Sequence, residues 1–507
     1  MKVRNSLSRA AMRARQASVS SSDESAPCRS ARAAATRVSS QGSSLMSRRR
    51  HGHGVPGGPA PRRAPGVGRR RSALPPGPSR RPLQCPAGAG ALSALRRFPS
   101  APVRLVPRVR ILGSGFPTLS TMPTLEVRYW PKRLRIGPGS VADLPDLMAE
   151  QRRQRALVVC GRTVGGGDML VGVRRALGAG LAGVFTGVEA HTPLAAVEAG
   201  LEAARECQAD TIISVGGGST IDAAKGIVIL DASGGEFALY QVVRGDGGAA
   251  ERPVLGGGSL AHIAVPTTAG SASEAMPTAG IRDPQAGRKL LFWDDHLVPA
   301  AVVLDPEMAV HAGPELSAAT GMTAMARCLE GLYSRDRQAI STGLALHAAG
   351  LLIEALPRSI TAPDDLEARQ ACQLAALMSG VASINAMASV VHAIGHGVGG
   401  RYGLQHGISH AMLLPSAVRL LLPAIGGEGS TVATALGGSG DDPAEAAASA
   451  IESLLDKLPL PRSLREVGVG EDEIAELAAG TMDDYMMDYA PRPVSEAEIA
   501  ALLTAVW

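Results

Sequence analysis

Four short apolar runs, separated by helix-length stretches, restrict the fold of this chain more than any other feature. They are Ala156-Leu-Val-Val-Cys160, Thr211-Ile-Ile-Ser-Val215, His262-Ile-Ala-Val265 and Ala301-Val-Val-Leu304. Their apolar residues run nearly unbroken instead of alternating, so each reads as a strand covered on both faces, the habit of parallel sheets. The stretches between them carry helix signals: Thr192-Pro193 marks a start, and Leu194, Val197 and Leu201 follow at roughly helical spacing. From about Pro306 strand signals stop. Segments 317–334, 339–356, 366–379, 382–396, 409–422, 443–457, 471–479 and 495–506 read as helices rich in Ala, Leu and Met. The expected architecture is an α/β domain over 122–305 followed by an all-α domain over 306–507.

The first 121 residues do not share this pattern. They hold 23 Lys+Arg against two acids, Asp23 and Glu24, whereas the other 386 hold 28 basic and 44 acidic side chains. The net +5 is therefore a tail at +21 joined to a body at −16. A tail of Ser, Pro, Gly, Ala and Arg without apolar periodicity cannot bury enough surface to offset its ordering entropy, so disorder is expected there. Three origins compete for it. The native chain opens at Met122 and the start is misplaced, or the tail is an Arg- and Ser-rich transit peptide, or it is a basic nucleic-acid arm. The last lacks interleaved aromatics, and no nucleic-acid partner is expected. Six cysteines without paired or metal-like spacing fit a reducing compartment, cytoplasmic or, with a genuine transit peptide, organellar. The uncharged stretch 374–395 contains Ser379, Ser383, Asn385, Ser389 and His392, which suits a buried core helix better than a membrane span. No membrane partner is expected.

Two loops point to a phosphate-bearing ligand. Gly216, Gly217 and Gly218 follow the second strand and precede a helix that begins near Ser219. Without Cβ atoms they let a pyrophosphate reach backbone N–H groups at the positive end of that helix. Asp222 and Lys225 lie one turn apart; they pair, or Lys225 fixes the loop. The next loop, Pro266-Thr-Thr-Ala-Gly-Ser-Ala-Ser-Glu274, offers hydroxyls from Thr267, Thr268, Ser271 and Ser273 to phosphate or ribose, or is an ordinary capping turn. Farther on, His392, His396 and His406 stand at spacings of four and ten. The first two share a helix face, and a glycine-rich turn allows His406 to fold back towards them. Imidazoles so grouped act as metal ligands or proton donors, against the plainer reading that some are merely buried.

With Gly-Gly-Gly-Ser-x-x-Asp-x-x-Lys, Pro-Thr-Thr-Ala-Gly-x-x-Ser-Glu and His-x3-His-x9-His-Gly in that order, the body resembles the iron-containing alcohol dehydrogenases. Glu330-Gly-Leu-Tyr-Ser334, Gly399-Gly400, His410 and Ala490-Pro-Arg-Pro493 resemble the maleylacetate reductase branch, while the length of the Ser/Thr loop resembles the alcohol dehydrogenases. The resemblance implies a Rossmann-like dinucleotide-binding domain, a helical catalytic domain of the dehydroquinate synthase-like architecture, and hydride transfer in the cleft between them. Lys289 joins Gly216, Gly217, Gly218, Ser219, Asp222, Lys225, Thr267, Thr268 and Ser273 in the expected cofactor set, and a homodimer is expected.

One departure matters. Metal-dependent relatives carry Gly-Met-Asp-Ala-x-x-His, whose Asp and His are ligands. Here the segment is Gly321-Met-Thr-Ala-Met-Ala-Arg327, so Thr323 and Arg327 replace two of four ligands and only His392 and His406 remain. A guanidinium repels a cation, so Fe²⁺ or Zn²⁺ is disfavoured unless Glu330 or His410 supplies a missing ligand. Arg327 instead offers a fixed charge for a developing oxyanion and a fork for a carboxylate. Expected is NAD(P)H-dependent reduction of a small carboxylate substrate, aldehydes being the other class, with His396 as proton donor and His392, His406 and Arg327 assisting. Arg162, just after the first strand where relatives carry an acid, favours tolerance of NADPH. A metal-dependent alcohol dehydrogenase, a cyclase-like lyase and a nucleotide-binding pseudoenzyme are the alternatives.

Overall fold

The computed structural model describes residues 131–189, 192–244, 250–283 and 288–507, all within one compact unit, Ile111–Trp507. The expectations for 1–121 and for a start at Met122 lie outside the described residues.

All four expected strands form, joined by two more. The sheet holds β1 (Leu134–Ile136), β2 (Ala156–Gly161), β3 (Leu181–Val188), β4 (Thr211–Gly216), β5 (Ala261–Pro266) and β8 (Ala301–Leu304), in the order β1-β8-β5-β4-β2-β3. Every pairing within it is parallel. Helices α1 (Asp168–Leu177), α2 (Leu194–Glu206) and α3 (Gly218–Ser233) cover its faces, and β2, β4, β5 and β8 are buried, as their unbroken apolar runs require. From β2 the chain steps outward to β3, then returns to the other side of β2 for β4. The strand order therefore reverses between β2 and β4, where ligands of open α/β sheets bind beyond the carboxyl ends. An antiparallel hairpin, β6 (Thr278–Asp283) and β7 (Arg288–Trp293), was not expected from the sequence. It packs against α3, burying Ile281, Leu290 and Phe292.

The helical part holds α4 (Pro314–Tyr333), α5 (Ala339–Thr361), α6 (Leu366–Ala386), α7 (Val390–Tyr402), α8 (His406–Leu421), α9 (Pro443–Leu455), α10 (Ile474–Thr481) and α11 (Glu496–Ala505). Stretch 374–395 is not one helix: Met387 takes a positive φ of 60°, and α6 and α7 meet at a bend of 109°. By length and composition α5 and the run His406–Ala435 could each cross a membrane; here both contribute to the apolar core around α4.

A buried histidine inside the sheet gives a pH-dependent stability. His262 on β5 has its Nε2 2.8 Å from Ser214 Oγ and is 6% exposed. Burial, helped by the charge of Lys225, pushes its imidazole down to about 3. The unfolded chain titrates this group near 6.5, so below that pH it binds a proton that the folded protein refuses. Stability from this site is complete above about pH 6.5 and is lost as pH falls towards the folded value. At pH 5 the loss is about 2 kcal/mol. His262→Gln should flatten the pH dependence of the urea midpoint between pH 7.5 and 5 by that amount. Parallel profiles for the two proteins would remove His262 from the account.

Candidate active site

The nucleotide end is built by two loops pressed together. Gly217 caps α3, whose first turn carries no acid, and Gly216 closes β4. A Cβ on Gly217 would lie 3.1 Å from Thr268 Oγ1, and one on Gly218 would lie 2.7 Å from Ser271 Cβ. Thr267 N donates to Gly216 O at 3.0 Å, which ties the second loop to the first. The glycines thus allow close loop contact and leave the α3 N-terminus open at the strand-order reversal, which fits a dinucleotide.

Two residues of the expected cofactor set serve the loop instead. Lys225 is fully buried, and its Nζ donates to Ser273 O, Met276 O and Thr278 O at 2.6, 2.7 and 2.7 Å. All three of its donors are consumed, so it cannot touch a cofactor, and burial lowers its ammonium to about 8. Asp222 Oδ2 accepts from Gly280 N at 3.2 Å instead of pairing with Lys225. Both residues hold the segment 273–280 in place beneath the second loop. Ser273 gives its carbonyl to Lys225. Lys289 is exposed on β7, runs across Gly280, and its charge is felt by His406.

The catalytic end is a ladder of four imidazoles. His392 and His396 project from α7, and His406 and His410 from the first turns of α8. The turn between these helices is made by Gly403, whose φ of 66° favours glycine. Ring centroids are 4.2 Å apart for His392 and His410, 5.9 Å for His410 and His406, and 5.6 Å for His406 and His396. A carboxylate anchors each end. Glu330, fully buried on α4, bonds His392 Nδ1, and its Oε1 accepts from the backbone N of Ser389, Val391 and His392. It thereby caps α7 from another helix. At the other end Asp484 Oδ2 lies 2.7 Å from His396 Nδ1.

Burial, together with neighbouring charges that include Arg327, holds His410 well below the usual imidazole range and lowers His392. His406 is lowered too, by the protein mass around it and by His396, His392, Lys289 and Arg327, although its ring is open to solvent on one side. The three are therefore neutral at pH 7. Buried Nε2 of His392 and both ring nitrogens of His410 have no hydrogen-bond partner among the described residues.

Arg327, on α4, makes its charge felt by His392, His406 and His410. It is 9% exposed, and its Nη1 donates to Gly270 O at 2.6 Å. The other guanidinium nitrogens have no acceptor among the described residues. Glu274, buried and raised by that burial, lies in the fields of both Lys225 and Arg327. Thr323 turns its hydroxyl back onto Ala319 O at 3.1 Å. Two of the four ligand positions that the family resemblance implies carry no metal donor, Thr323 and Arg327 standing there. Only two imidazoles of the expected ligand set remain, Glu330 is spent on His392 and the helix end, and the charge of a guanidinium reaches them. Among the described residues no three His, Cys, Asp or Glu side chains are grouped to hold a metal.

Sequence reasoning missed the roles of Glu330 and Asp484. Glu330 was noticed only as a motif residue and spare ligand, and Asp484, 88 positions from His396, gives no linear signal.

Residues 131–306 match the family described as iron-containing alcohol dehydrogenase, and 317–507 match its C-terminal domain. The chain is 30% identical over 312 residues to an NAD-dependent methanol dehydrogenase of Bacillus methanolicus, covering 61% of this chain and 80% of that protein. It is 31% identical over 379 residues to maleylacetate reductase 2 of Cupriavidus pinatubonensis, covering 75% and 95%. The crystal structure of maleylacetate reductase from Agrobacterium tumefaciens superposes with a TM-score of 0.64 at 28% identity, covering 76% of this chain and 99% of that one.

Proposed function

The chain is an oxidoreductase of the iron-containing alcohol dehydrogenase family, and from that premise we propose that it reduces a small carboxylate-bearing carbonyl or activated alkene with NAD(P)H and without a metal ion. The supporting observation is Arg327, a buried guanidinium with donors to spare whose charge is felt by three neutral imidazoles.

A nicotinamide dinucleotide, held at Gly216–Gly218, Thr267, Thr268 and the α3 N-terminus, supplies the hydride when bound. Arg327 grips the substrate carboxylate and places fixed charge where negative charge develops in the transition state. His396 hands over a proton from Nε2, its Nδ1 being engaged by Asp484. His406 orients the substrate, and His392, locked by Glu330, supports the ladder from behind; neither adds charge. Arg162, exposed at the carboxyl end of β2, leaves room for a 2′-phosphate, so NADPH should serve as well as NADH. Similarity to maleylacetate reductase 2 and to the Agrobacterium enzyme agrees with the carboxylate preference.

The test is oxidation of NADH and NADPH by the purified full chain with maleylacetate and with a panel of simple aldehydes, each with EDTA, Fe²⁺ or Zn²⁺. Keto-acid turnover should change by less than about twofold on chelation, since no step relies on Lewis-acid charge. Aldehyde reduction that needs added metal, with no response to maleylacetate, would sink the proposal.

A further inference from the structure

We propose that Asp484 is the positioning residue for His396, fixing the imidazole so that Nδ1 carries a hydrogen and Nε2 is the atom presented to substrate. The inference rests on the reading of His396 as proton donor. Its geometry is that of a built site. Asp484 follows α10, and its two oxygens have separate duties: Oδ1 accepts from Met486 N at 2.8 Å and Oδ2 faces His396 Nδ1 at 2.7 Å. Its backbone N donates to Thr481 O at 3.1 Å, so the carboxylate is tied from both sides. The Asp484 side chain is 16% exposed. Burial alone would raise its carboxyl, but the hydrogen bond and charge of His396 and the bond from Met486 N hold it below the usual range.

The two anchored histidines are not equivalent. The His392 side chain is 7% exposed and that of its partner Glu330 is 0%, whereas the His396 side chain is 35% exposed. Only the second pair joins a carboxylate to a ring open enough to meet a substrate. A carboxylate on one imidazole nitrogen selects the tautomer and ring orientation and steadies the charged ring while the other nitrogen gives up its proton. Asp484 need not touch substrate to do this, and the residue stands on a different element from every other member of the ladder.

Full-length protein labelled with ¹⁵N-histidine tests the assignment without any substrate. At a pH where His396 is neutral, its resonances, identified by their loss in His396→Gln, should show the Nδ1–H tautomer. Asp484→Ala should convert them to the Nε2–H tautomer, and Asp484→Glu should keep the original one. With NADH and maleylacetate, Asp484→Ala should lower kcat about 100-fold with KM within about threefold, and should add nothing in the His396→Gln background. Asp484→Glu should recover part of the loss, and a melting curve separates these effects from unfolding. An unchanged tautomer in Asp484→Ala, or the same 100-fold loss in the His396→Gln background, overturns the positioning role. Wild-type turnover in His396→Gln instead overturns the reading of His396 as donor, whatever the tautomer.

Discussion

If Arg327 acts as proposed, Arg327→Ala should lower kcat/KM for a keto-acid substrate by about 100- to 1000-fold, because it removes a fixed cation from the developing oxyanion, an interaction worth about 3–4 kcal/mol in enclosed sites. Nucleotide affinity, read by quenching of NADH fluorescence, should change far less, since Arg327 bonds Gly270 O of the second loop and not the Gly216–Gly218 turn. Arg327→Lys separates charge from shape. A lysine keeps the cation but not the two-pronged contact with a carboxylate, so its rate should fall between the two, mainly through KM. The substitution also loosens the tie between the second loop and α4, and leaves Glu274 with Lys225 as its remaining cation. Melting curves must therefore accompany the kinetics. A folded Arg327→Ala protein with unaltered kcat and KM would remove Arg327 from catalysis and leave it the loop tie alone.

Gly407→Ala should be among the most damaging single-methyl additions in the molecule. Helices α8 and α4 cross there so closely that a Cβ would overlap the Ala319 carbonyl and press within 2.8 Å of Thr323 Oγ1. Neither obstacle is the loose end of a flexible side chain, so the helices must part. Overpacking of this kind costs about 3 kcal/mol, read as a lower urea midpoint. Because Gly407 follows His406 directly, separation of the helices also moves the imidazole ladder, and turnover should fall more than nucleotide binding does. A midpoint equal to that of the unaltered protein would mean that the crossing is looser than described.

Local patterns made much of the molecule legible. The nearly unbroken apolar runs Ala156–Cys160 and Thr211–Val215 read as strands buried on both faces, and they are adjacent interior strands of the sheet. The spacing of His392 and His396 placed them one turn apart on α7, and the turn before His406 returned it to within 5.6 Å of His396. The hairpin β6–β7 was less readable, because Thr278–Asp283 and Arg288–Trp293 gain their strand character by packing on α3 and pairing with each other. Lys225 allowed two readings in the sequence, a loop tie and a cofactor contact, and its three carbonyl bonds make it the loop tie. A lysine beside a phosphate loop looks like a ligand contact until its burial and three carbonyl acceptors are seen.

By itself the sequence determined which chemistry was present: the glycine triplet, the three spaced histidines, and the arginine and threonine in place of metal ligands. Those depend on residue type and short spacing, which the chain carries openly. Only the tertiary structure decided which groups are spent and which are free. Glu330 is consumed by His392 and the α7 terminus, Lys225 by the loop, and Arg327 retains donors after binding Gly270. Asp484 reaches His396 from 88 residues away. Hydrogen-bond partners and burial are properties of neighbours in space, and long-range closure of the chain is what supplies them.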